Sequence, residues 1–227
     1  RDPTLGIWSP ANSVIEYHPQ RFDATFFTTG KYMGVPTNKT DRLWEELYNF
    51  GNSVISEKEA ARLPHPTLNI PGTKQYLVQL DVFHQLHCLN DLRKAIWPER
   101  YPHMWRIENG QINRNWTGWW HWEHCIDALR QALMCNADVS PNSWHVNMPI
   151  STGIFPRIAT SHTCRNFEKV QDWAKDHQIP ASFDPLLSKD EIDKILNDPP
   201  ADQLPWEDLT SVWWKFPGNK FFKEWRD

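Results

Sequence analysis

Several features are scarce or absent in this 227-residue sequence, and each absence excludes a class of protein. No run of five like charges occurs and the formal net charge is -4, so nothing marks a surface for nucleic acid or acidic lipid. No stretch approaches the roughly 18 apolar residues of a membrane-spanning helix. The nucleophile elbow Gly-x-Ser-x-Gly, a glycine-rich phosphate loop and the dinucleotide-binding fingerprint are also absent, which excludes three common kinds of enzyme site.

Glycine is scarce and bulky residues are abundant. The chain has 9 Gly beside 18 Pro and 14 Trp, a composition that favours ordered, bulky loops over flexible linkers. The length predicts one domain, over residues 1–178, with a Pro/Trp-rich extension over 179–227 that packs on it. Because the chain begins with Arg1, we expect that any signal or anchor preceding it is missing from this sequence.

The pattern of apolar residues predicts a mainly α fold: a helical core around two related helices, with short β-strands and long ordered loops. Six helices are predicted. The first spans 41–50, the second follows a capping box formed by Ser56 and Glu59, and the third runs from a cap at Asp81 to residue 97. The other three span 118–135, 162–178 and 188–197. A strand is predicted over 76–80. Residues 1–40, 98–116 and 136–161 are predicted to have little regular structure.

One sequence motif occurs twice in the chain. "FHQLHCLNDLRKAIW" begins at Phe83, and "WHWEHCIDALRQAL" begins at Trp120. Aligned without gaps, the two copies share two histidines, a cysteine, a leucine, an arginine and an alanine. Four of the ten histidines and two of the four cysteines lie in this repeat, which indicates a duplication or a shared geometric demand.

The spacing of these histidines predicts a metal site. Residues i and i+3 lie on one face of a helix, so each copy presents two imidazoles in one direction, and two facing helices bring four together. The predicted ligands are His84, His87, His121 and His124. Without a metal, each buried ring would need its own hydrogen-bond partner.

Copper is the favoured metal, because an all-nitrogen donor set suits copper or zinc and Cu(II) binds most tightly in the Irving–Williams order. Iron is the alternative, through a triad of His121, His124 and Asp127 or of Asp81, His84 and His87. A spacing of i, i+3 and i+6 turns the third residue away from the helix face, which disfavours iron.

The four cysteines predict two disulfides if the compartment is oxidising. Cys125 and Cys135 on one helix would be separated by about 15 Å, beyond the roughly 7 Å that a disulfide allows. Two pairings remain: Cys88–Cys125 with Cys135–Cys164, or Cys88–Cys135 with Cys125–Cys164. We prefer the first, since equivalent residues of two related helices meet near their axis. Reduced cysteines acting as zinc ligands are the alternative.

Further candidates surround the motif. His162 and, with weaker support, His145 are predicted as additional ligands, which would complete six imidazoles for a dicopper centre. Asp127 and Asp138 are predicted either to orient imidazole N–H groups or to cap local turns. The sequons at Asn38 and Asn115 predict glycosylation if the domain faces a secretory lumen.

The paired motifs resemble those of the UstYa-like family of fungal mycotoxin and peptide-natural-product biosynthesis proteins. The resemblance covers about residues 8 to 175. It rests on both His-x-x-His-Cys motifs, on "IDALRQALMCNAD" and "HTCRNFEKVQDW", and on the N-terminal "SPAN", Glu16-Tyr17 and Gly34-x-Pro36 before "DRLWEEL".

The resemblance implies a copper-dependent oxidoreductase that uses dioxygen or peroxide to macrocyclise, hydroxylate, dehydrogenate or halogenate a peptide or small-molecule intermediate. It implies a domain on the lumenal side of ER- or Golgi-type membranes, held by a single N-terminal helix, and it places the catalytic role on the four motif histidines. Oligomerisation with itself or another protein stays open. The competing hypotheses are a non-catalytic partner of another oxidase and a zinc- or disulfide-stabilised interaction domain.

Overall fold

A computed structural model of the chain describes residues 8–22, 30–63, 67–70, 72–148, 151–156, 159–181 and 183. The α-helices are α1 (Asn38–Glu45), α2 (Glu57–Ala60), α3 (Asp81–Ala95), α4 (Thr117–Asn136) and α5 (Phe167–Asp176). The strands are β1 (Tyr17–Arg21), β2 (Asn52–Ser56), β3 (Gln75–Gln79), β4 (Ile107–Glu108), β5 (Gln111–Ile112), β6 (Trp144–Met148), β7 (Ser151–Pro156) and β8 (Ser161–Arg165). Helices with short strands are therefore the main elements of these ranges, as the sequence predicts.

The strands form antiparallel pairs, and two of these pairs join distant parts of the chain. β1 pairs with β8, so that Pro19 lies opposite Thr163, and β2 pairs with β3. β4 with β5 and β6 with β7 are local hairpins. The backbone N–H of Val54 donates to the carbonyl of His177, which ties β2 to the end of α5. The helices are thus held by ladders that link the first and last described segments.

The core lies on one face of α3. Phe83 is fully buried there and contacts Phe50 edge-on and Phe167 at a tilt, while Val170 and Trp173 of α5 belong to the same cluster. At residue 51, a Cβ atom would lie 2.6 Å from the Cβ of Phe83, so only glycine fits that close approach. The packing commits Phe83 to the core, whereas the side chains of His84 and His87 on the same helix stay partly exposed.

A buried polar network fixes α3 against α1. Asn90 is fully buried and donates to the hydroxyl of Tyr48 at 2.7 Å, while Arg93 donates to the Asn90 side-chain carbonyl and to Asp41. Arg100 donates to the other oxygen of the same carboxylate. Burial alone would raise the pKa of Asp41, but its hydrogen bonds to Tyr101, Arg100 and Arg93 lower it to about 2. The carboxylate is therefore a charged anchor for α3 at neutral pH.

Both motif helices have ends close to those predicted. α3 ends at Ala95, shortly before Pro98, and α4 ends where Ala137 takes a left-handed conformation with φ 40° and ψ 55°. The capping box of Ser56 and Glu59 is confirmed at the start of α2. The prediction that Asp81 caps α3 is wrong, because Leu80 occupies the cap and Asp81 is the first helical residue. Its carboxylate accepts a hydrogen bond from Gln85 instead.

Other predictions differ from the structure. The three segments predicted to have little regular structure contain strands: β1 lies in residues 1–40, β4 and β5 lie in 98–116, and β6 and β7 lie in 136–161. The helix predicted over 41–50 is α1, which begins at Asn38 and ends at Glu45. The helix predicted over 162–178 begins only at Phe167, since Asn166 caps it through a bond from the N–H of Lys169, and Cys164 therefore lies in β8.

Some predictions concern residues that the structure does not describe. The acidic helix over 188–197 and most of the 179–227 extension lie outside the described residues. Among the helices that are described, none combines the length and apolar character needed to span a bilayer.

Candidate metal centre

The first half of the site is a pair of imidazoles from α3 and α4. The Nε2 atoms of His84 and His124 lie 3.2 Å apart, with ring centroids separated by 5.2 Å and an interplanar angle of 39°. The Sγ of Cys88 lies 3.7 Å from Nε2 of His84. These three donor atoms lie within 4.8 Å of one another, which is a spacing suited to one metal ion.

The second half is a pair with nearly the same ring geometry. The ring centroids of His87 and His121 are 5.5 Å apart with an interplanar angle of 37°. One carboxylate oxygen, Oδ2 of Asp91, lies 3.6 Å from Nε2 of His87 and 3.6 Å from Nδ1 of His121. These atoms form a second group within 4.8 Å of one another.

The order of the pairs relates the repeat to the geometry. His84 meets His124 and His87 meets His121, so the pairing runs in opposite directions along the two helices. Exchanging the two copies of the motif converts one pair into the other. The two copies of the motif thus bring their four histidines together as two imidazole pairs between α3 and α4.

The donor separations fit metal coordination. Two nitrogen or oxygen donors bound to one tetrahedral ion at about 2.1 Å lie about 3.4 Å apart, and a nitrogen and a sulfur lie about 3.6 Å apart. The observed separations are 3.2 and 3.6 Å for the N and O donors and 3.7 Å for the Nε2–Sγ pair. Each of the two imidazole pairs therefore has a spacing at which it could bind one metal ion.

The site is half open to solvent. The side chains of His84, His87 and His121 are 30%, 38% and 42% exposed, and His124 is exposed. Tyr48 covers one side, with its ring centroid 5.6 Å from that of His87 and the two rings nearly perpendicular. Ligands on this face are held by helices, yet a second molecule has access to them.

Burial shifts the pKa of His121 and the pKa values of the two buried thiols in opposite directions. Burial lowers the pKa of His121, the nearby Asp91 opposes this shift, and the neighbouring imidazoles reinforce it. A neutral ring is the form that binds metal. Burial raises the pKa of the Cys88 thiol. Burial also raises the pKa of the Cys125 thiol, and the hydrogen bond between Cys125 and Cys88 raises it further, far above the usual range. The two buried thiols are protonated at neutral pH in this arrangement.

All four cysteines lie in described segments and are free thiols in the structure. Cys88 and Cys125 are both fully buried and in hydrogen-bond contact. The Cys88–Cys125 disulfide preferred from the sequence would therefore join two residues that already contact each other. Cys135 is exposed at the end of α4, and Cys164 is half-buried in β8. The disulfide pairing stays a prediction.

His162 and Asp138 contact each other away from these two donor groups. Nδ1 of His162 donates to Oδ2 of Asp138 at 2.6 Å, and the ring, with a side chain 12% exposed, stacks on Phe22 at 3.7 Å. Asp138 therefore orients an imidazole and also accepts from the N–H of Ser140. Neither donor group includes His162, and its role as a ligand stays a prediction.

The remaining candidates have varied surroundings. The side chain of His145, in β6, lies outside what the structure describes. Asp127 accepts hydrogen bonds from Arg130 and Gln131 on its own helix. Asn38 is exposed at the start of α1, where its side-chain carbonyl accepts from Arg100, and Asn115 is exposed before α4. Glycosylation at both stays a prediction.

One residue at the site was missed in the sequence. Asp91 follows His87 by four positions, which places it on the same helix face, and its counterpart in the second copy is Ala128. A comparison of the two copies for acidic residues one turn beyond the second histidine would have found it. The aspartates that were considered are exposed.

The fold and the site define a mainly helical protein with two imidazole pairs between α3 and α4. No solved structure matches it significantly. The family model described as "Mycotoxin biosynthesis protein UstYa" matches residues 1–177, and the chain belongs to this family.

Several curated relatives are similar to this chain. The UstYa family oxidase aprY of Aspergillus flavus is 29% identical, over 91% of this chain and 64% of the relative. The UstYa family oxidase phomYc' of Diaporthe leptostromiformis is 32% identical, over 67% of this chain and 54% of the relative. A protein named transacylase cctO, of Talaromyces islandicus, is 26% identical over 77% and 61%. The chain thus spans less than two-thirds of the length of these relatives.

Proposed function

We propose that this chain is the metal-binding part of an oxidase of fungal secondary metabolism. It would bind copper through His84, His87, His121 and His124 and modify a peptide or small-molecule intermediate. The observation that carries the proposal is the pair of two-imidazole groups at coordination spacing between α3 and α4. The oxidase names of its relatives support the reaction class.

Each part of the site has a role in this proposal. Bound copper would supply one-electron redox chemistry with dioxygen or peroxide as co-substrate, as macrocyclisation, hydroxylation, dehydrogenation or halogenation requires. The histidines would bind the metal as neutral imidazoles, and the lowered pKa of His121 favours the neutral form of that ring. The open face would admit the substrate, while Tyr48 limits the approach beside His87.

The cellular setting is part of the same proposal. We place the domain in the lumen of the ER or Golgi, where Cys88 and Cys125 would join in a disulfide and Asn38 and Asn115 would carry glycans. The contact between the two buried thiols supports the bridge. Mass spectrometry of the protein secreted from a fungal host, before and after reduction and deglycosylation, measures both modifications. Unmodified asparagines and four free thiols would overturn this placement.

Metal analysis is the direct test of the site. The chain is reconstituted with copper, freed of excess metal and measured by elemental analysis and EPR. Pair variants His84→Ala/His124→Ala and His87→Ala/His121→Ala each remove one half, and His87→Ala/His124→Ala removes one ligand from both. His103→Ala is the matched control, since His103 is exposed and outside both groups. We expect one or two coppers per chain, lost at least in part in each pair variant.

The outcome of that test decides the proposal. Copper content and EPR spectra that are unchanged in all three pair variants would mean that the repeat serves structure alone. If copper binds as expected, incubation with a reductant and candidate intermediates under air separates an enzyme from a non-catalytic partner. Product formation that depends on copper and on the motif histidines supports the enzyme.

A zinc site is the second candidate, favoured by the free Cys88 thiol beside His84 and His124. A thiolate donor suits zinc, and a structural zinc needs no redox chemistry. Purification without added metal, followed by elemental analysis and thiol titration under denaturing conditions, tests this reading. One zinc per chain with four titratable thiols, and retention of zinc against copper, would favour it over the oxidase.

A further inference from the structure

We propose that Asp91 is a metal ligand, and that it makes the two halves of the histidine cluster different sites: a His87–His121–Asp91 site and a His84–His124 site beside Cys88. This proposal rests on the proposed metal-binding function and adds to it a ligand and a donor set. The observation behind it is the position of one carboxylate oxygen between two imidazole nitrogens from two helices.

The distances favour coordination over a hydrogen bond. Oδ2 of Asp91 lies 3.6 Å from Nε2 of His87 and 3.6 Å from Nδ1 of His121, longer than the roughly 3.2 Å limit of an N–H···O bond. A separation of about 3.4 Å is expected when both atoms bind one tetrahedral ion. The two distances from the carboxylate oxygen are therefore close to those of donors that share one ion.

The environment of Asp91 leaves its carboxylate available for a metal. Its side chain is 15% exposed, and within the described ranges its ion-pair partners are His87 and His121. The nearby Arg93 is directed to Asp41 and to Asn90. A carboxylate that is this buried requires a positive partner, and a divalent ion between the two rings would supply it.

The other acidic residues near the motif do not offer the same geometry. Asp81 is 75% exposed and accepts a bond from Gln85, although its Oδ1 lies 3.6 Å from His84. Asp127 is exposed and paired with Arg130. The earlier iron triads used these two residues, each with two histidines of its own helix. The structure instead assembles two histidines and one carboxylate across the two helices.

The repeat itself makes the halves unequal. Asp91 lies four residues after His87, and Ala128 lies four residues after His124, so only the first copy has a carboxylate at this position. The His84–His124 half has the thiol of Cys88 as its neighbour. Carboxylate oxygen and thiol sulfur prefer different metals. We therefore expect the His87–His121–Asp91 half to accept harder divalent ions than the other half.

The test isolates this half and uses binding as its readout. In a His84→Ala/His124→Ala background, Cu(II) and Co(II) are titrated against a competing chelator, with EPR for copper and visible absorption for cobalt. Asp91→Asn keeps the shape and removes the charge, Asp91→Glu keeps a carboxylate, and Asp172→Asn changes an exposed carboxylate on α5 as the control. Thermal unfolding of each metal-free variant confirms that it is folded.

We expect Asp91→Asn to weaken metal binding at least tenfold and to change both spectra, with partial recovery in Asp91→Glu and no change in Asp172→Asn. Unchanged affinity and spectra in Asp91→Asn would overturn the proposal and leave the residue as a counter-ion of the two rings. If copper content is equal in wild type and all histidine variants, the metal site itself is wrong. The two failures are therefore distinguishable.

Discussion

At the residue scale, identical residues of the repeat perform different tasks. Arg93 of the first copy is half-buried and joins Asn90 to Asp41, whereas Arg130 of the second copy is exposed and bonds to Asp127 on its own helix. The motif histidines and cysteines, by contrast, contact residues of the other copy: His84 meets His124, His87 meets His121 and Cys88 meets Cys125.

Substituting Asp41 tests the anchor of α3. We expect Asp41→Asn to lower the free energy of unfolding at pH 7 by about 2 kcal/mol, because Arg93 and Arg100 lose a charged acceptor. The pKa of Asp41 is lowered from 3.8 to about 2, so its contribution is full above pH 4 and is lost as the pH falls towards 2. Urea unfolding from pH 7 to 2 measures this.

The pH dependence gives the control for that experiment. Asp172→Asn, at an exposed site on α5, should leave the curve of stability against pH close to that of the wild type. Asp41→Asn should flatten the curve between pH 4 and pH 2. Parallel curves for Asp41→Asn and wild type would contradict the role assigned to this carboxylate.

At the element scale, helix boundaries depend on single cap positions. α4 ends at Asn136 because Ala137 turns the chain with a positive φ of 40°, a conformation that costs a non-glycine residue about 1 kcal/mol. α5 begins after Asn166, whose side chain accepts from the N–H of Lys169 at 3.2 Å. Each of these caps can be tested by a substitution that leaves the core unchanged.

Ala137→Gly should stabilise the protein. Glycine adopts the left-handed conformation without the steric cost, so we expect a gain of about 0.5 kcal/mol after its greater loss of entropy. Ala132→Gly, in the interior of the same helix, should instead destabilise by about 1 kcal/mol. Chemical denaturation of both variants gives the comparison, and equal losses in both would refute the cap at Ala137.

Asn166→Ala should destabilise α5. Loss of the cap removes one hydrogen bond to an otherwise unpaired N–H, which costs about 1 kcal/mol. Asn166→Asp keeps an acceptor at the same position and should retain most of the stability. The midpoint of urea unfolding separates the two variants, and an equal effect of both would place the role of Asn166 elsewhere.

The sequence predicts an element well when the residues that determine it are close together along the chain, and poorly when they are far apart. The two motif helices and the capping box of Ser56 and Glu59 follow from local spacing, so their positions are predicted to within a few residues. β1 and β8 become strands by pairing with each other across the chain, and no local pattern marks that pairing. Asp91 did have a local signal, its position four residues after His87, whereas its contact with His121 on the other helix is long-range and is not marked in the sequence.

At the scale of the whole molecule, the first described segment closes the fold. Ala11 is buried in the core cluster with Phe83 and Ala174, and β1 pairs with β8 over its full length. The N–H of Asn166 donates to the carbonyl of Glu16, and Lys169 forms an ion pair with the Glu16 carboxylate. The N-terminal segment is therefore part of the core structure.

Removing the segment should show this directly. A chain without residues 1–22 loses Ala11 from the core and the partner of β8, so we expect a lower melting temperature and a broader transition. A synthetic peptide of residues 8–22, added to the shortened chain, should restore part of the stability. An unchanged melting temperature, measured by circular dichroism, would contradict this.

The β1–β8 pairing also orders events during synthesis. Residues 17–21 leave the ribosome first, but their partners at 161–165 follow some 140 residues later. At a synthesis rate of roughly 5 to 20 residues per second, that delay is about 7 to 28 s. Over this interval β1 presents unpaired backbone groups that a chaperone can bind, and the β1–β8 pair forms only after residue 165 has been translated.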